Sequence, residues 1–575
     1  MASRFASRHA RAALASTSAA AFCAASAYRA AVLAESPAEE LVQRRSAATA
    51  ITEPQKTQSD QSRSTFTWGG NLHGVANPED QAVQLKKPKP LALLDGMVLR
   101  DLALHEQYAV AVDNRGDLLQ WGANRPALQT TLRGCNLVKV ALTPYKIYAL
   151  SSNGKVYVLS ADAQPKPQSS ASWLASWVWS SPSGAEHLEL KPDSNLGLRE
   201  KFQDIQAGTS HVLALTSSGR CFSAPVDLRA NEMGQLGVRH VEFAGIGPTQ
   251  LYPTGFNPNE YATVDTRSLT MELAQAKAMP RAWLPDRLKV QLEQTEEAEK
   301  LAQSAQEEAR KAREQYTQAE RHPGFCPTLY EIPSLKDIKI AQIAAGDRHN
   351  LVRTPNGRVL AFGANSCGQL GIGGNYTLPI IPAPTEVALG KHTPKNGSLA
   401  CTQIAAGGSG SYFVAERSEP SRPTITEIYA AGNGQFGAIG NGQWNHQPAP
   451  VKIKTLSGLL EWDEKQDSLA TITVHALSAG RNHVAATLGN SSMDQNAAYG
   501  RDVYIWGQNA DAQLGNGKRA HAPVPQTLGA LPRNEEVIAA KRMQLAPMLK
   551  YKGHKVEETI TCGYNSTAIY WKALN

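Results

Sequence analysis

Three histidines, His211, His349 and His483, stand at one offset in separate stretches of the chain, each three residues after a glycine: Gly208, Gly346 and Gly480. Converging imidazoles could ligate a metal, or each ring could bond to backbone beside it. Recurrence at a fixed spacing favours packing, because catalysis usually needs one asymmetric constellation. Two segments approach phosphate-binding patterns. Gly368 to Gly374 is dense in glycine but is not followed by a helix, and Ala512 to Arg519 reads AQLGNGKR. In the latter, Ala512 replaces the first glycine of a phosphate loop, and Arg519 replaces the hydroxyl residue that would hold magnesium. No Ser/His/Asp set and no carboxylate pair is distinguished by its local sequence. The seven cysteines show no Cys-x-x-Cys spacing, which argues against a zinc ribbon and against a secreted disulfide framework. The reading is therefore of no catalytic residue, no cofactor and no metal.

The elements that carry these residues repeat. The clearest unit starts at Lys339 and runs to Gly374: an apolar strand, a turn at Gly346, a second strand, an Asn356-Gly357 turn, a third strand ending Phe362-Gly363, then Gln369-Leu370-Gly371. Asn-Gly between two apolar runs is a strong hairpin signal, since both turn positions need positive φ. The same grammar returns at Ile205–Ser223 with Met233–Gly237, at Ile404–Glu416 with Ile428–Gly442, and at Leu477–Leu488 with Asp502–Gly517. Weaker copies at Leu102–Asn124 and Val140–Ser160 keep the spacing without the first glycine. A seventh unit is split: Phe66–Gly74 supplies its end and Ile560–Lys572 its beginning. A ring of sheets has no free edge only when its first and last strands share a sheet.

The Gly-x-x-His, Trp-Gly-x-Asn and Gly-Gln-Leu-Gly elements resemble the regulator of chromosome condensation repeat, over most of residues 64–574 apart from insertions. The resemblance implies an all-β, seven-bladed β-propeller closed by its N- and C-terminal strands. It places Gly208, Gly346, Gly407, Gly480 and Gly563 at turns between blade strands, with His211, His349 and His483 as structural repeat positions. Trp68, Trp121, Phe362 and Trp506 would fill the spaces between blades.

Two insertions interrupt the repeats. The first, residues 161–201, contains Trp173, Leu174, Trp177, Val178 and Trp179. This cluster suits a membrane interface, a partner groove or packing against the propeller. The second, residues 239–337, has a core from Asp286 to Arg321 rich in Glu, Gln, Ala, Lys and Arg, with Pro285 before it and Pro323-Gly324 after it. That pattern predicts a helix of about 54 Å with a narrow, alanine-rich apolar stripe. Shorter interruptions at Ser418–Thr424, Leu456–Ser468, Gly489–Gly500 and Asn534–Glu558 read as rim loops.

Residues 1–34 are rich in Ala, Ser and Arg, with no acid before Glu35, and read as a mitochondrial presequence. Ala12 to Tyr28 is uncharged and, with Ala30 to Ala34, just long enough to span a bilayer. Alanine and serine give such a span little transfer energy, and Arg29 would be costly within it. Residues 35–63 read as a linker, leaving 64–575 for the propeller. The net charge is +7, and four of the positive charges are leader arginines, so bulk charge does not indicate a nucleic-acid partner. The repeat together with the leader looks like fungal mitochondrial members of the family, which implies a noncatalytic inner-membrane scaffold for assembly of ubiquinol-cytochrome c reductase, respiratory complex III. Its partners would be inner-membrane proteins or assembly intermediates. The family also implies guanine-nucleotide exchange on a small GTPase as an alternative. Binding to mitochondrial ribosomal RNA is a third reading, which the near-neutral body disfavours.

Overall fold

The computed structural model describes residues 63–574 apart from 124, 163–182, 244–246, 252–323, 375–377, 464–466, 490–499, 533–541 and 552. The expected presequence, the tryptophan cluster at 173–179 and the expected helix at 286–321 lie outside the described residues.

The fold is an all-β propeller. Most of its strands fall into antiparallel runs of four, all but the last of them chain-order meanders. The first is Leu99–Leu104, Tyr108–Asp113, Leu118–Gly122 and Arg125–Arg133. Next come Leu137–Leu142, Lys146–Ser151, Val156–Ser160 and His187–Pro192. Phe202–Ala207, His211–Thr216, Cys221–Pro225 and Thr328–Glu331 follow. Gln342–Ala345, His349–Arg353, Val359–Ala364 and Ile380–Glu386 form another sheet, as do Ser398–Gly407, Gly410–Ser418, Ile425–Gly432 and Gln447–Lys452. Val474–Ala479, His483–Leu488, Arg501–Gly507 and Ala522–Thr527 form the next. The last run joins the two ends of the chain. His554–Cys562 pairs with Ser566–Leu574, which pairs with Phe66–Gly70, which pairs with Gln84–Pro90.

Second strands such as His211–Thr216 and His483–Leu488 are buried at every position. A strand covered on both faces reads as a continuous apolar run instead of an alternation, which is why HVLALT and HVAATL look as they do. The turn at Gly357 has φ +81°, and a Cβ there would lie 2.9 Å from the Cys401 nitrogen of the next sheet, so the Asn-Gly turn also sets how closely sheets approach.

Aromatic side chains fill the space between sheets, as the repeat pattern leads one to expect. Trp68, Trp121, Phe362 and Trp506 are fully buried. Each indole N–H donates to a carbonyl of the preceding unit: Trp68 to Gln513 at 2.8 Å, Trp121 to Val75 at 2.9 Å and Trp506 to Ala438 at 2.9 Å. One apolar cluster contains Phe66, Trp68, Ile428, Trp506, Ile560 and Ile569, and so ties both ends of the chain to intervening sheets.

The expected rim loops differ in two places. Residues 534–558 contribute strands Gln544–Leu545 and Leu549–Tyr551 and the start of His554–Cys562. The sequence HKVEETITC hides this strand because Glu558 is buried, where its carboxylate accepts the Ala546 N–H at 2.9 Å. Leu460–Asp463 and Ser468–Thr471 form a separate two-stranded hairpin. The insertions are also shorter than expected, because His187–Pro192 and Thr328–Glu331 are fourth strands of sheets. No helix among the described residues is long and apolar enough to cross a membrane.

Replacing Trp68 with Ala removes a buried indole at the seam between the chain ends. Chemical denaturation should show a loss of about 3–5 kcal/mol, and an unchanged midpoint would show that this seam contributes little.

Candidate interaction surface

The Gly-x-x-His turns connect first to second strands. Each closes with a hydrogen bond from the glycine N–H to the histidine carbonyl, at 2.9 Å for Gly208–His211, Gly346–His349 and Gly480–His483. The imidazole folds back over the glycine. A Cβ on Gly346 would lie 2.2 Å from His349 Cε1, and one on Gly208 would lie 2.3 Å from His211 Cε1. At Gly407 and Gly563 the obstacle is backbone of the neighbouring sheet: the Gly480 oxygen at 2.0 Å and the Leu104 oxygen at 2.4 Å. Successive turns are hydrogen bonded to one another. Thr209 N–H donates to Asp347 O, Asp347 N–H to Gly408 O, Arg481 N–H to Gly563 O and Tyr564 N–H to Leu104 O.

Each histidine reaches across to the next sheet. Nε2 of His211 lies 2.6 Å from Asn350 Oδ1, that of His349 2.9 Å from Ser411 Oγ, and that of His483 2.9 Å from Thr567 Oγ1. These partners donate in turn to main-chain carbonyls: Asn350 to Gln235, Ser411 to Gln369 and Thr567 to Gln513. The hydroxyl protons of Ser411 and Thr567 are thereby used, so these oxygens accept from Nε2–H, which fixes the tautomer. The expected bonding to neighbouring backbone is only part of the arrangement: each Nε2 reaches a side chain of the adjacent sheet, because folding over the glycine points it across the gap, while the His349 and His483 rings also meet backbone there at Gly410 and Ser566. Two units without histidine keep this reach. Tyr108 Oη donates to Thr143 O at 2.5 Å, and Lys146 Nζ donates to Val226 O at 2.5 Å and Gly324 O at 3.0 Å.

The chemistry here is structural. Burial holds the His211 imidazole down to about 4 and those of His349 and His483 to about 3, so the rings are neutral at physiological pH. Among the described residues no group of three or more His, Cys, Asp or Glu is placed to hold a metal ion. In the AQLGNGKR loop, Leu514 N–H donates to Asn509 Oδ1 and Asp511 N–H to Gln513 Oε1, each at 2.9 Å. Asn365 and Gln369 serve Leu370 and Cys367 in the same way. These amides are engaged within their own loops, whereas a phosphate cradle needs free N–H groups.

Antiparallel order puts the first-to-second and third-to-fourth connections of every sheet at the same end, and the hydrogen-bonded turns align those ends. At this end Leu72, Val83, Tyr145, Leu378, Phe436 and Trp444 are exposed. Residues 163–182 and 252–323 also fall, in sequence, between third and fourth strands of their sheets. The hairpin bearing exposed Trp462 and Leu469 interrupts a fourth-to-first connection and belongs to the opposite end. The sequence reading missed this division because it appears only when the connections are sorted by strand order.

Two outcomes follow from the clamp. Gly346→Ala should destabilise the protein by more than about 2 kcal/mol, with partial recovery in Gly346→Ala/His349→Ser; a denaturant double-mutant cycle without coupling would refute the contact. The buried histidines bind protons less readily when folded, so their contribution is complete above pH 6.5 and is lost as pH falls toward 4 for His211 and toward 3 for His349 and His483. It is on the order of 3 kcal/mol for His211 and 5 kcal/mol for each of the other two, and His483→Gln should flatten the stability–pH curve between pH 6.5 and about 3.

The comparisons agree with this geometry. Models of the regulator of chromosome condensation (RCC1) repeat match residues 340–369, and residues 356–414 and 502–541. Protein FMP25, mitochondrial, of Saccharomyces cerevisiae is 24% identical over 526 residues, covering 88% of this chain and 72% of that protein. The ultraviolet-B receptor UVR8 of Arabidopsis thaliana is 26% identical over 204 residues, 36% of this chain and 37% of the receptor. The crystal structure of human WBSCR16 superposes with a TM-score of 0.51 at 13% identity, covering 90% of this chain and 100% of that one. A chain in the structure of Kap60 bound to yeast RCC1 (Prp20) does so with 0.50 at 15% identity, covering 91% and 96%. These findings support a mitochondrial propeller protein. The chain carries regulator of chromosome condensation (RCC1) repeats at residues 340–414 and 502–541.

Proposed function

We propose that the chain is a noncatalytic mitochondrial scaffold, a ring of seven blades closed by its two ends, that assists assembly of an inner-membrane respiratory complex, ubiquinol-cytochrome c reductase. The observation that carries this reading is the similarity to a mitochondrial protein across 88% of the chain. The arginine-rich leader agrees with import into that compartment. The buried histidine turns, whose Nε2 atoms bond across to the next sheet, support a rigid frame in place of a reaction centre. Trp173, Leu174, Trp177, Val178 and Trp179 fall, in sequence, between the third and fourth strands of their sheet, as Phe436 and Trp444 do in theirs, which favours this class of connection as the contact surface for partners or membrane.

One feature favours a second reading, nucleotide exchange on a small or mitochondrial GTPase. In the Leu460–Asp463/Ser468–Thr471 hairpin, Trp462 and Leu469 are paired across the strands and exposed, and such a hairpin could wedge into a partner.

Affinity purification of the tagged full chain from detergent-solubilised mitochondrial membranes decides between them. Recovery of respiratory-complex subunits or their assembly intermediates is the expected result. A GTPase released by added nucleotide would replace the scaffold with exchange, and ribosomal RNA in the eluate would replace both.

A further inference from the structure

One corner of the surface at the glycine–histidine end combines aromatic and cationic side chains across three neighbouring sheets. Register places it. Gly363, Gly432 and Gly507 oppose Ile381, Gln447 and Ala522 on their fourth strands. The residues three positions earlier are Leu378, Trp444 and Arg519, so successive sheets present these side chains from equivalent points of the same connection. All three are exposed.

The contacts make this a continuous patch. The Phe436 ring lies 5.1 Å from that of His521, and Trp444 lies 6.5 Å from the same imidazole. Gly442 N–H donates to Pro523 O at 2.8 Å, which brings the Trp444 loop beside Val524. His521, Val524 and Lys518 line a shallow groove of about 370 Å³. On its far side Gly517 N–H donates to Lys86 O at 2.9 Å, joining Lys86 and Lys87 of the adjoining sheet to the patch.

Lys86, Lys87, Lys518 and Arg519 are exposed, and none is in an ion pair among the described residues. Lys89 differs, being paired with Asp80 at 2.6 Å. Asp511 borders the patch, half-buried, with an oxygen 3.4 Å from Gln84 Nε2. Trp444 is 51% exposed and Phe436 37%, although neither is needed to cover the core.

We propose that this corner, Phe436 and Trp444 flanked by Lys86, Lys87, Lys518 and Arg519, docks the protein on the surface of a bilayer containing anionic phospholipid. Indole rings favour the headgroup level, and cations beside them gain from negative lipid charge without leaving water. A single-stranded nucleic acid would also meet cations and aromatic faces. The patch, however, adds aliphatic Val524 and Leu378, which gain from hydrocarbon but offer no stacking plane. An acidic peptide would want an enclosed slot, and the groove here is shallow. The inference is independent of the scaffold role, since it concerns a lipid surface and not a client. It also leaves aside the tryptophans at 173–179.

The test uses the full chain and vesicles of phosphatidylcholine alone or mixed with phosphatidylglycerol. Wild-type protein should co-sediment with the anionic vesicles. Lys87→Glu/Lys518→Glu/Arg519→Glu should reduce the bound fraction about tenfold, and Phe436→Ser/Trp444→Ser should reduce it as well. All variants share one leader, so its contribution cancels in the comparison. Brominated lipid should quench wild-type tryptophan fluorescence more than that of Trp444→Phe, a conservative change that does not rely on charge reversal. The proposal is overturned if the charge-reversed protein sediments like wild type. It is also overturned if that variant loses binding to a single-stranded oligonucleotide or to polyglutamate while keeping vesicles. Recovery of respiratory subunits in the purification would be read separately, so either idea can fail alone.

Discussion

Neighbouring sheets approach backbone to backbone at the turns between their first and second strands, and the rest of the structure depends on that closeness. A Cβ on Gly407 would lie 2.0 Å from the Gly480 oxygen, so no residue with a Cβ fits there without displacing main chain. The approach lets turns hydrogen bond to their neighbours in four places and brings each histidine within reach of a hydroxyl or amide on the following sheet. Glycine, histidine and the bridging polar residue are thus one device, satisfied only when the two sheets are in register. A buried polar group left without a partner is costly, so the device specifies spacing as well as stabilising it.

This explains which parts of the chain could be read directly. The strong units were legible because glycine at an unavoidable turn, an indole at an intersheet gap and Gln-Leu-Gly in a self-satisfied loop leave little chemical freedom. The weak units were legible only by spacing. Tyr108 and Lys146 look unrelated to histidine, yet a long side chain with a terminal donor can reach the next sheet equally well. The strand His554–Cys562 was partly hidden because a buried glutamate breaks its apolar alternation.

The candidate surface was less legible. Exposed apolar residues such as Leu378, Phe436 and Trp444 lie far apart in sequence, and each alone is ordinary. Only the common register of their connections collects them at one end. Lys87 and Lys518 are likewise distant in the chain and meet through a single backbone hydrogen bond at Gly517. The histidines, which attracted attention as possible chemistry, are the most enclosed of the singled-out groups and serve the frame. Function in such an architecture is carried by what the connections display, and the frame keeps those connections at fixed mutual distances.

The sheet that joins Phe66–Gly70 to Ser566–Leu574 has a consequence for biogenesis. During vectorial synthesis, or threading through a translocation pore, Phe66–Gly70 emerges hundreds of residues before its partner. Until the final strand arrives, both margins of the growing assembly present unpaired amides and carbonyls, the configuration most open to pairing with other chains. The pairing of Phe66–Gly70 waits for Ser566–Leu574, so any factor that shields the early strand would have to do so across some five hundred intervening residues.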